Sequence, residues 1–378
     1  MKKLLFCIFL LFSKLAFSID IDDAIKSTIE KNPKVKIAYE KLTESKELIE
    51  NAYNQKLPTI TSTISGTYST SDSSTSTATT TPETFTDKYK LSLSQNLYDA
   101  GEKNLEIQRS KLLFDKEVVN FKVTIQNLIL SAIEGYFAVI NYEKSLEASK
   151  KNFDSVSRFL DETKTKFDLG SATLYDLQNA ESAYAIAETN LFISQQNYDV
   201  SKITFNRIVG LDPINLEEVV DLSKKIDLNK FIKNIEKNNY TLALLDNDIR
   251  NTSILLSKEK LSNKPSLDLS TSIEYSDSGR IDSGTEKTNG TLGLTLTIPI
   301  FQQNNDKSNI RKYQSQLLQA ELSFEDKKQD LIIQASNLYK DFLISKSNID
   351  SNTKQLLSIQ TSLESIKEEY NIGTKTIT

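Results

Sequence analysis

Phe167-Asp168-Leu169-Gly170-Ser171-Ala172-Thr173-Leu174 returns near the end of the chain as Tyr370-Asn371-Ile372-Gly373-Thr374-Lys375-Thr376-Ile377. Each copy has an aromatic three positions before a lone Gly and an apolar residue four positions after it, and each closes a long helical pattern. Other landmarks recur at nearly the same offset. Leu97-Tyr98-Asp99 matches Ile300-Phe301-Gln302, and Leu57-Pro58-Thr59-Ile60 matches Lys264-Pro265-Ser266-Leu267. Ile25-Lys26 before Glu30-Lys31-Asn32 answers Ile232-Lys233 before Glu236-Lys237-Asn238. The chain is a duplication with a unit of roughly 205 residues, too long for a solenoid repeat.

Within one unit the period of the pattern changes twice. Residues 20–56 read as helix, with Asp20, Asp22 or Asp23 as caps and a break at Asn32-Pro33. From Thr59 to Thr70 the residues alternate: Thr59, Thr61, Thr63, Ser65, Thr67 and Ser69 oppose Ile60, Ile64 and Tyr68. Residues 69–81 form a Ser/Thr-rich stretch read as an exposed loop. Alternation resumes from Lys88 to Tyr98, with Tyr89, Leu91, Leu93 and Leu97 opposite Lys88, Lys90, Ser92, Ser94 and Asn96. The second unit repeats the hairpin, with Leu267, Leu269, Ile273 and Tyr275, a loop through Gly279, Gly284 and Gly290, then Leu292, Leu294, Leu296 and Ile298. Two readings fit: a soluble antiparallel sheet with one buried face, or a membrane barrel, apolar outside and polar inside. Four strands cannot close a membrane barrel, which needs at least about eight; three copies of the chain would supply twelve.

After each hairpin the period becomes seven. Ile107, Phe114, Phe121 and Leu128 form one seam, and Val118, Ile125, Ala132, Val139 and Leu146 a second. In the other unit the seam is Ile310, Leu317, Phe324, Leu331 and Leu338. Steps of seven mark helices that supercoil with partners. A pattern from 102 to 166 spans about 100 Å at 1.5 Å per residue. Gly170 supplies the turn, and a helix returns over 173–209 with Leu174, Leu177, Tyr184 and Leu191 on one side. Two seams on one helix fit a closed ring of helices, and an ordinary antiparallel coiled coil is the simpler alternative.

The first 18 residues, MKKLLFCIFLLFSKLAFS, read as a secretory signal: a charged start, an apolar run and Ala16-Phe17-Ser18 as the cleavage site. Lys14 interrupts a run already short of the ~20 apolar residues of a membrane anchor, and no second run of that kind is expected. Removing the signal takes away three Lys, leaving 43 basic against 51 acidic residues, net −8, with no His and no Cys. A thiol nucleophile, a His-based catalytic pair, a disulfide and a His/Cys metal site are thereby excluded. Among 51 acids no carboxylate pair stands out by spacing, so no catalytic, metal or cofactor-binding residue is assigned and no enzyme is expected. An acidic balance without a basic cluster disfavours nucleic acid.

Taken together, the signal, the duplication and the order of short helix, strand hairpin, long helix, Gly turn and returning helix resemble the TolC family of outer-membrane efflux proteins. The most specific pieces are Gln95-Asn96-Leu97-Tyr98-Asp99-Ala100-Gly101, Pro299-Ile300-Phe301, and Lys166 through Ala180 with Asp176, Gln178 and Asn179. The resemblance implies a homotrimer, mainly α with a small β part. Two β-hairpins per chain would form a 12-stranded barrel in outer-membrane lipid, and long antiparallel coiled-coil helices a periplasmic tunnel. It also implies a passive exit duct of a tripartite efflux pump or type I secretion system, served by a periplasmic adaptor and an inner-membrane pump or ABC transporter. The family's adaptor contacts carry over to Leu169, Gly170, Ser171 and Thr173, and to Ile372, Gly373, Thr374 and Thr376. Its periplasmic gate carries over to Tyr370 and Lys375, where Lys stands in place of an Arg.

The expected organisation is a signal peptide over 1–18, then a first repeat over 19–210 with hairpin 58–98, long helix 102–166, turn near 170 and return helix 173–209. A second repeat over 211–378 has hairpin 265–301, long helix 305–369 and a turn near 373, and stops before its return helix, as a fragment or truncated gene product would. The alternative function is a periplasmic coiled-coil adaptor or scaffold bridging the two membranes.

Overall fold

The computed structural model describes residues 19–70, 73–75, 78–80, 83–217, 227–280, 283–301 and 303–371. Among the described residues, seven helices and six strands follow one another in two similar runs. The first is α1 (Ile21–Lys31), α2 (Pro33–Asn54), β1 (Thr59–Thr70), β2 (Ser73–Thr75), β3 (Ala78–Thr80), β4 (Glu83–Tyr98), α3 (Glu102–Asp168) and α4 (Leu174–Val209). The second is α5 (Leu228–Asn238), α6 (Tyr240–Glu259), β5 (Ser266–Arg280), β6 (Ser283–Thr297) and α7 (Asn305–Asn371). The described parts of 1–44 and 117–223 form one compact unit, and those of 45–116 and 224–378 the other.

Both runs place the same local devices at corresponding points. The break between the two short helices falls on an extended Asn each time, Asn32 at φ −69° and Asn239 at φ −74°. Pro33 follows only the first, so the Asn and not the proline is the common element. Asn32 Oδ1 accepts from Lys34 N, and Asn239 Oδ1 from Thr241 N and Leu242 N, satisfying amides that open the next helix. The passage from strand to long helix uses two successive left-handed residues in each run: Ala100 and Gly101, then Gln303 and Asn304. In the first run Asp99 holds the turn, accepting from Gly101 N and Lys103 N at 2.9 Å each.

In the first unit the core is a cluster of Ala24, Ala132, Tyr136, Val139, Phe205 and Val209 from α1, α3 and α4. Ser27 of α1 and Asn32 just after it donate to the carbonyls of Val209 and Ile208, which end α4. Gly210 closes that helix at φ 74°. The Tyr136 ring is fully buried. Its hydroxyl lies 2.9 Å from the Ile19 carbonyl oxygen and 2.8 Å from that of Glu217, whose neighbours Ile19 and Leu216 form a parallel bridge. Further along, α3 and α4 pack as a coiled coil. Leu146 and Leu160 of α3 are buried in seven-residue register with Val139, and α4 answers with Ala180 and Ala187. Ser149 and Ser194 hydroxyls meet across the seam at 2.8 Å. The returning helix thus contributes a buried seam of small residues, in steps of seven from Ala180 to Ser201, flanked by the half-buried Leu177, Tyr184 and Leu191 read from the sequence, with Tyr184 5.3 Å from the Phe153 ring of α3. Small side chains admit the neighbouring backbone, and Leu174 is left exposed.

Contrary to the sequence reading, α3 is long enough and over one stretch apolar enough to cross a membrane by length and composition. The overlap of its two seams between 118 and 128 makes it apolar on two sides, and Leu128, Ala132, Tyr136 and Val139 are buried against protein. The α7 seam also departs from expectation. Ile310, Leu317, Phe324 and Leu331 are half-buried, but Leu338 is exposed and Ala335 is buried in its place. Beyond it the seven-residue stripe continues through Ile349, Leu356 and Leu363, all exposed.

In the second unit a charged layer joins α3 to α6. Lys258 Nζ lies 2.6 Å from Glu106 Oε2 and 3.6 Å from Glu102, Arg109 reaches Glu106 at 2.9 Å, and Lys116 pairs with Asp248 at 2.6 Å. Burial pushes the Glu106 carboxyl up, but hydrogen bonding from Lys258 and the charges of Lys258 and Arg109 outweigh it and hold it below the ordinary carboxylate value. A depressed folded value means the stabilisation is complete above the unfolded value and is lost as pH falls through the folded one. Glu106→Gln should therefore cost about 1–3 kcal/mol near neutral pH. The difference from the parent should vanish in acid, as followed by thermal unfolding across pH.

Candidate functional site

The sheet has the order β1-β4-β5-β6 and is antiparallel throughout. Register decides which side chains share a face. Ile60 stands opposite Leu93, Ser62 opposite Leu91 and Ile64 opposite Tyr89. Leu91 opposes Ile273, Tyr89 opposes Tyr275, and Leu269 and Leu267 oppose Leu294 and Leu296. Directly paired residues lie on the same side, so every apolar alternation in the four strands falls on one face. The other face carries the hydroxyls, in rows such as Thr61, Ser92, Ser272 and Thr291. No described helix packs on either face, and Leu294 is 66% exposed.

The apolar face has aromatic borders. Tyr89 and Tyr275 stand 6.2 Å apart at one level, and Tyr98 marks the other. Nine residues between Tyr89 and Tyr98 span about 30 Å along the strand, or about 23 Å along the membrane normal at a tilt of about 40°, close to the ~25 Å apolar band of outer-membrane barrels. Acidic residues reach this face only past the aromatic border, where Asp87, Asp277 and Glu286 share one row. Leu97 was read as part of the apolar face, but the pairing steps from Asn96–Asp268 to Tyr98–Leu267. This bulge leaves Leu97 unpaired and brings Tyr98 into the apolar row. Asn96 Nδ2 fixes the bulge by donating to Asp268 Oδ1 at 2.9 Å and to the Tyr98 carbonyl at 3.2 Å.

The two segments read as loops are partly strand. β2 and β3 pair within the Ser/Thr stretch, Ser73 opposite Thr80 and Thr75 opposite Ala78. β5 and β6 continue past Gly279 and Gly290, pairing as far as Arg280 and Ser283. Polar residues signal solvent and not the end of a ladder, and β-branched Thr favours extended chain.

The helical turn between α3 and α4 holds the other candidates. Gly170 has φ +75° and open space where a Cβ would stand, so backbone conformation, not crowding, calls for Gly. Ser171 N and Ala172 N both donate to the Lys166 carbonyl, at 2.8 and 3.2 Å, closing α3. Thr173 opens α4 through a capping box: Asp176 N donates to Thr173 Oγ1 at 3.2 Å, and Thr173 N to Asp176 Oδ2 at 2.9 Å. Hydrogen bonds from the Thr173 side chain and backbone hold the Asp176 carboxyl below its ordinary value. Leu169 is 78% exposed and Tyr175 72%. The structure thus gathers Leu169, Gly170, Ser171 and Thr173 at one turn and adds Leu174, Tyr175 and Asp176. The Thr-x-x-Asp spacing signals the cap in the sequence; the exposed Leu174-Tyr175 pair has no such signal. Ile372, Gly373, Thr374, Lys375 and Thr376 lie outside the described residues. Tyr370 is in the last turn of α7, and its side chain also lies outside what is described. Among the described residues no group of His, Cys, Asp and Glu could hold a metal ion.

An amphipathic antiparallel sheet bounded by aromatics, continuous in sequence with long coiled-coil helices, defines the class of outer-membrane barrel proteins with a helical extension. The chain belongs to the outer membrane efflux protein family, whose pattern matches residues 24–211 and 261–378. Outer membrane protein TolC of Escherichia coli K12 is 26% identical over 305 residues, which are 76% of this chain. The match spans only 61% of that relative's length. In fold, the chain is similar to the Campylobacter jejuni CmeC outer membrane channel, with a TM-score of 0.73 at 15% identity over 94% of this chain and 78% of that one. The Vibrio cholerae outer membrane protein VceC gives 0.71 at 14% identity over 94% and 87%. The family places the protein at the cell outer membrane, with its helices in the periplasm.

The sorted faces set opposite tolerances. Arg in place of Leu91, Leu93, Leu294 or Leu296 should cost insertion about 2–4 kcal/mol near mid-membrane, whereas Arg at Ser92 or Thr295 should leave insertion intact. Outer-membrane yield of the six variants measures this, and equal losses at both sets would show the assigned faces to be wrong.

Proposed function

We propose that the protein is a passive exit duct of a tripartite efflux pump or type I secretion system. In this reading three copies close one barrel, and substrate leaves the periplasm or the partner pump through it. The observation that carries it is the sheet: one predominantly apolar face of membrane thickness, free of charged residues between its aromatic borders, one polar face, and two edges, β1 and β6, without a strand partner among the described residues. Unpaired backbone cannot face lipid, and pairing β6 of one copy with β1 of the next removes both edges at once. A soluble adaptor or scaffold has no use for such a face. Energy and cargo choice would come from an inner-membrane pump or ABC transporter, and no catalytic residue is required. Fractionation tests the reading: the protein should sediment with outer membranes and resist extraction at high salt, and recovery from soluble periplasm would reject it.

The turn at Gly170 is the proposed contact for a periplasmic adaptor, with its counterpart at Ile372, Gly373, Thr374 and Thr376, and Tyr370 with Lys375 as the proposed gate. Exposed Leu169 and Tyr175 support this, since large apolar side chains on a tight turn make a small docking knob. Gly170→Val would force a β-branched residue to positive φ, displacing Leu169 while leaving the buried seam untouched. The expected result is normal assembly with lost adaptor crosslinking and lost transport. Undiminished crosslinking would remove this turn from the contact.

A further inference from the structure

The polar face of the sheet is mostly hydroxyl; Asp268, beside Asn96, stands near one end, and a wider charged band lies toward the hairpin connections. Row by row across the strands, Thr63, Lys90, Glu274 and Asn289 stand side by side, and next to them Ser65, Lys88, Ser276 and Lys287. Three lysines against one glutamate leave two net positive charges per protomer. All three are exposed, and none forms an ion pair or hydrogen bond among the described residues, although Lys90 is directly opposite Glu274. Apart from Glu274, the acidic residues near this level go the other way: Asp87, Asp277 and Glu286 occupy the opposite face. Neighbouring residues of unlike sign on β4 and β6, Asp87 beside Lys88 and Glu286 beside Lys287, are separated by the pleat alone. At these two rows the polar face therefore carries a cationic excess, three lysines to one glutamate.

We infer that these lysines form a cationic belt that makes the duct selective for anionic solutes, such as carboxylates, phosphates and sulfates. The inference rests on the duct reading, in which the polar face lines the lumen. The belt lies directly behind the Ile64, Tyr89 and Tyr275 row, on the side of the hairpin connections, so it guards the exit end of the barrel. Three protomers bring six net positive charges to one level. A ring of charge within low-dielectric walls focuses its field across the opening and raises the local concentration of counter-ions. Screening over about 8 Å at physiological ionic strength confines the effect to solutes that pass close to the wall, which suits bulky cargo better than small ions in mid-channel.

The test compares the purified protein with the triple variant Lys88→Gln, Lys90→Gln, Lys287→Gln and the triple Lys→Arg variant in planar bilayers. Because the lysines have no partner, neither variant should disturb assembly. In a tenfold KCl gradient the chloride-to-potassium permeability ratio should fall about threefold or more in the Gln variant and stay at the parent value in the Arg variant. Tripolyphosphate added on the hairpin side should block the parent and the Arg variant at about tenfold lower concentration than the Gln variant. Equal ratios and equal block in all three would overturn the belt. A parent protein that inserts but passes no current would overturn the duct reading, and the belt with it.

Discussion

A bilayer interior offers no hydrogen-bond partner, so every backbone amide and carbonyl that enters it must be satisfied by protein. The rest of the architecture depends on that constraint. Four strands in one copy satisfy β4 and β5 on both sides and leave β1 and β6 half-satisfied. A sheet with bare edges and one apolar face is not a stable object in water or in lipid. In the proposed trimer its stability is a property of the assembly, and the helices would hold the copies in register long enough for the edges to meet. The long coiled-coil seams would serve that end, because period-seven packing specifies partners along its full length.

Much of this was legible in the sequence because period is robust. A side-chain alternation of two survives the loss of any single residue, and the seams at Ile107, Leu128, Ala132, Val139 and Leu146 show up as buried or nearly so. The duplication helped by giving two samples of each device. What stayed hidden depends on one atom or one residue. The bulge at Leu97 follows from the Asn96 amide reaching Asp268, which no local pattern announces. The strand ends were cut short because polar residues and Gly resemble a loop when the partner strand is unseen. On α4 the half-buried Leu177, Tyr184 and Leu191 were legible, but the buried Ala180, Ala187 and Ser201 beside them were not: Ala and Ser are weak signals of burial, yet they are the residues that let two helices approach closely. At the turn, Gly170 was legible from conformation alone, and Thr173 with Asp176 from the capping spacing. Leu174 and Tyr175 were not, since an exposed apolar pair looks in sequence like the start of a buried stripe.

The two copies also show how one backbone device tolerates different chemistry. The strand-to-helix turn needs two left-handed residues, which Ala100-Gly101 and Gln303-Asn304 both adopt. A residue with a Cβ is strained there by about 1–2 kcal/mol, so the second copy holds the same geometry against a larger local cost. The Asn break between the short helices is the reverse case: the same residue at nearly the same dihedrals, with a proline present in one copy and absent from the other.

The hydroxyl face has a further consequence. Thr59, Thr61, Thr63, Ser65 and Thr67 on β1, and the matching rows on its neighbours, present groups that both give and accept a hydrogen bond by rotating about one bond. A solute sliding past such a wall can trade water for hydroxyl and back in small, nearly equal steps, whatever its own pattern of donors and acceptors. Short side chains also leave few crevices in which it could lodge. In the duct reading the wall is smooth in energy as well as in shape wherever hydroxyls alone line it, so residence there is brief and discrimination is left to the charged band.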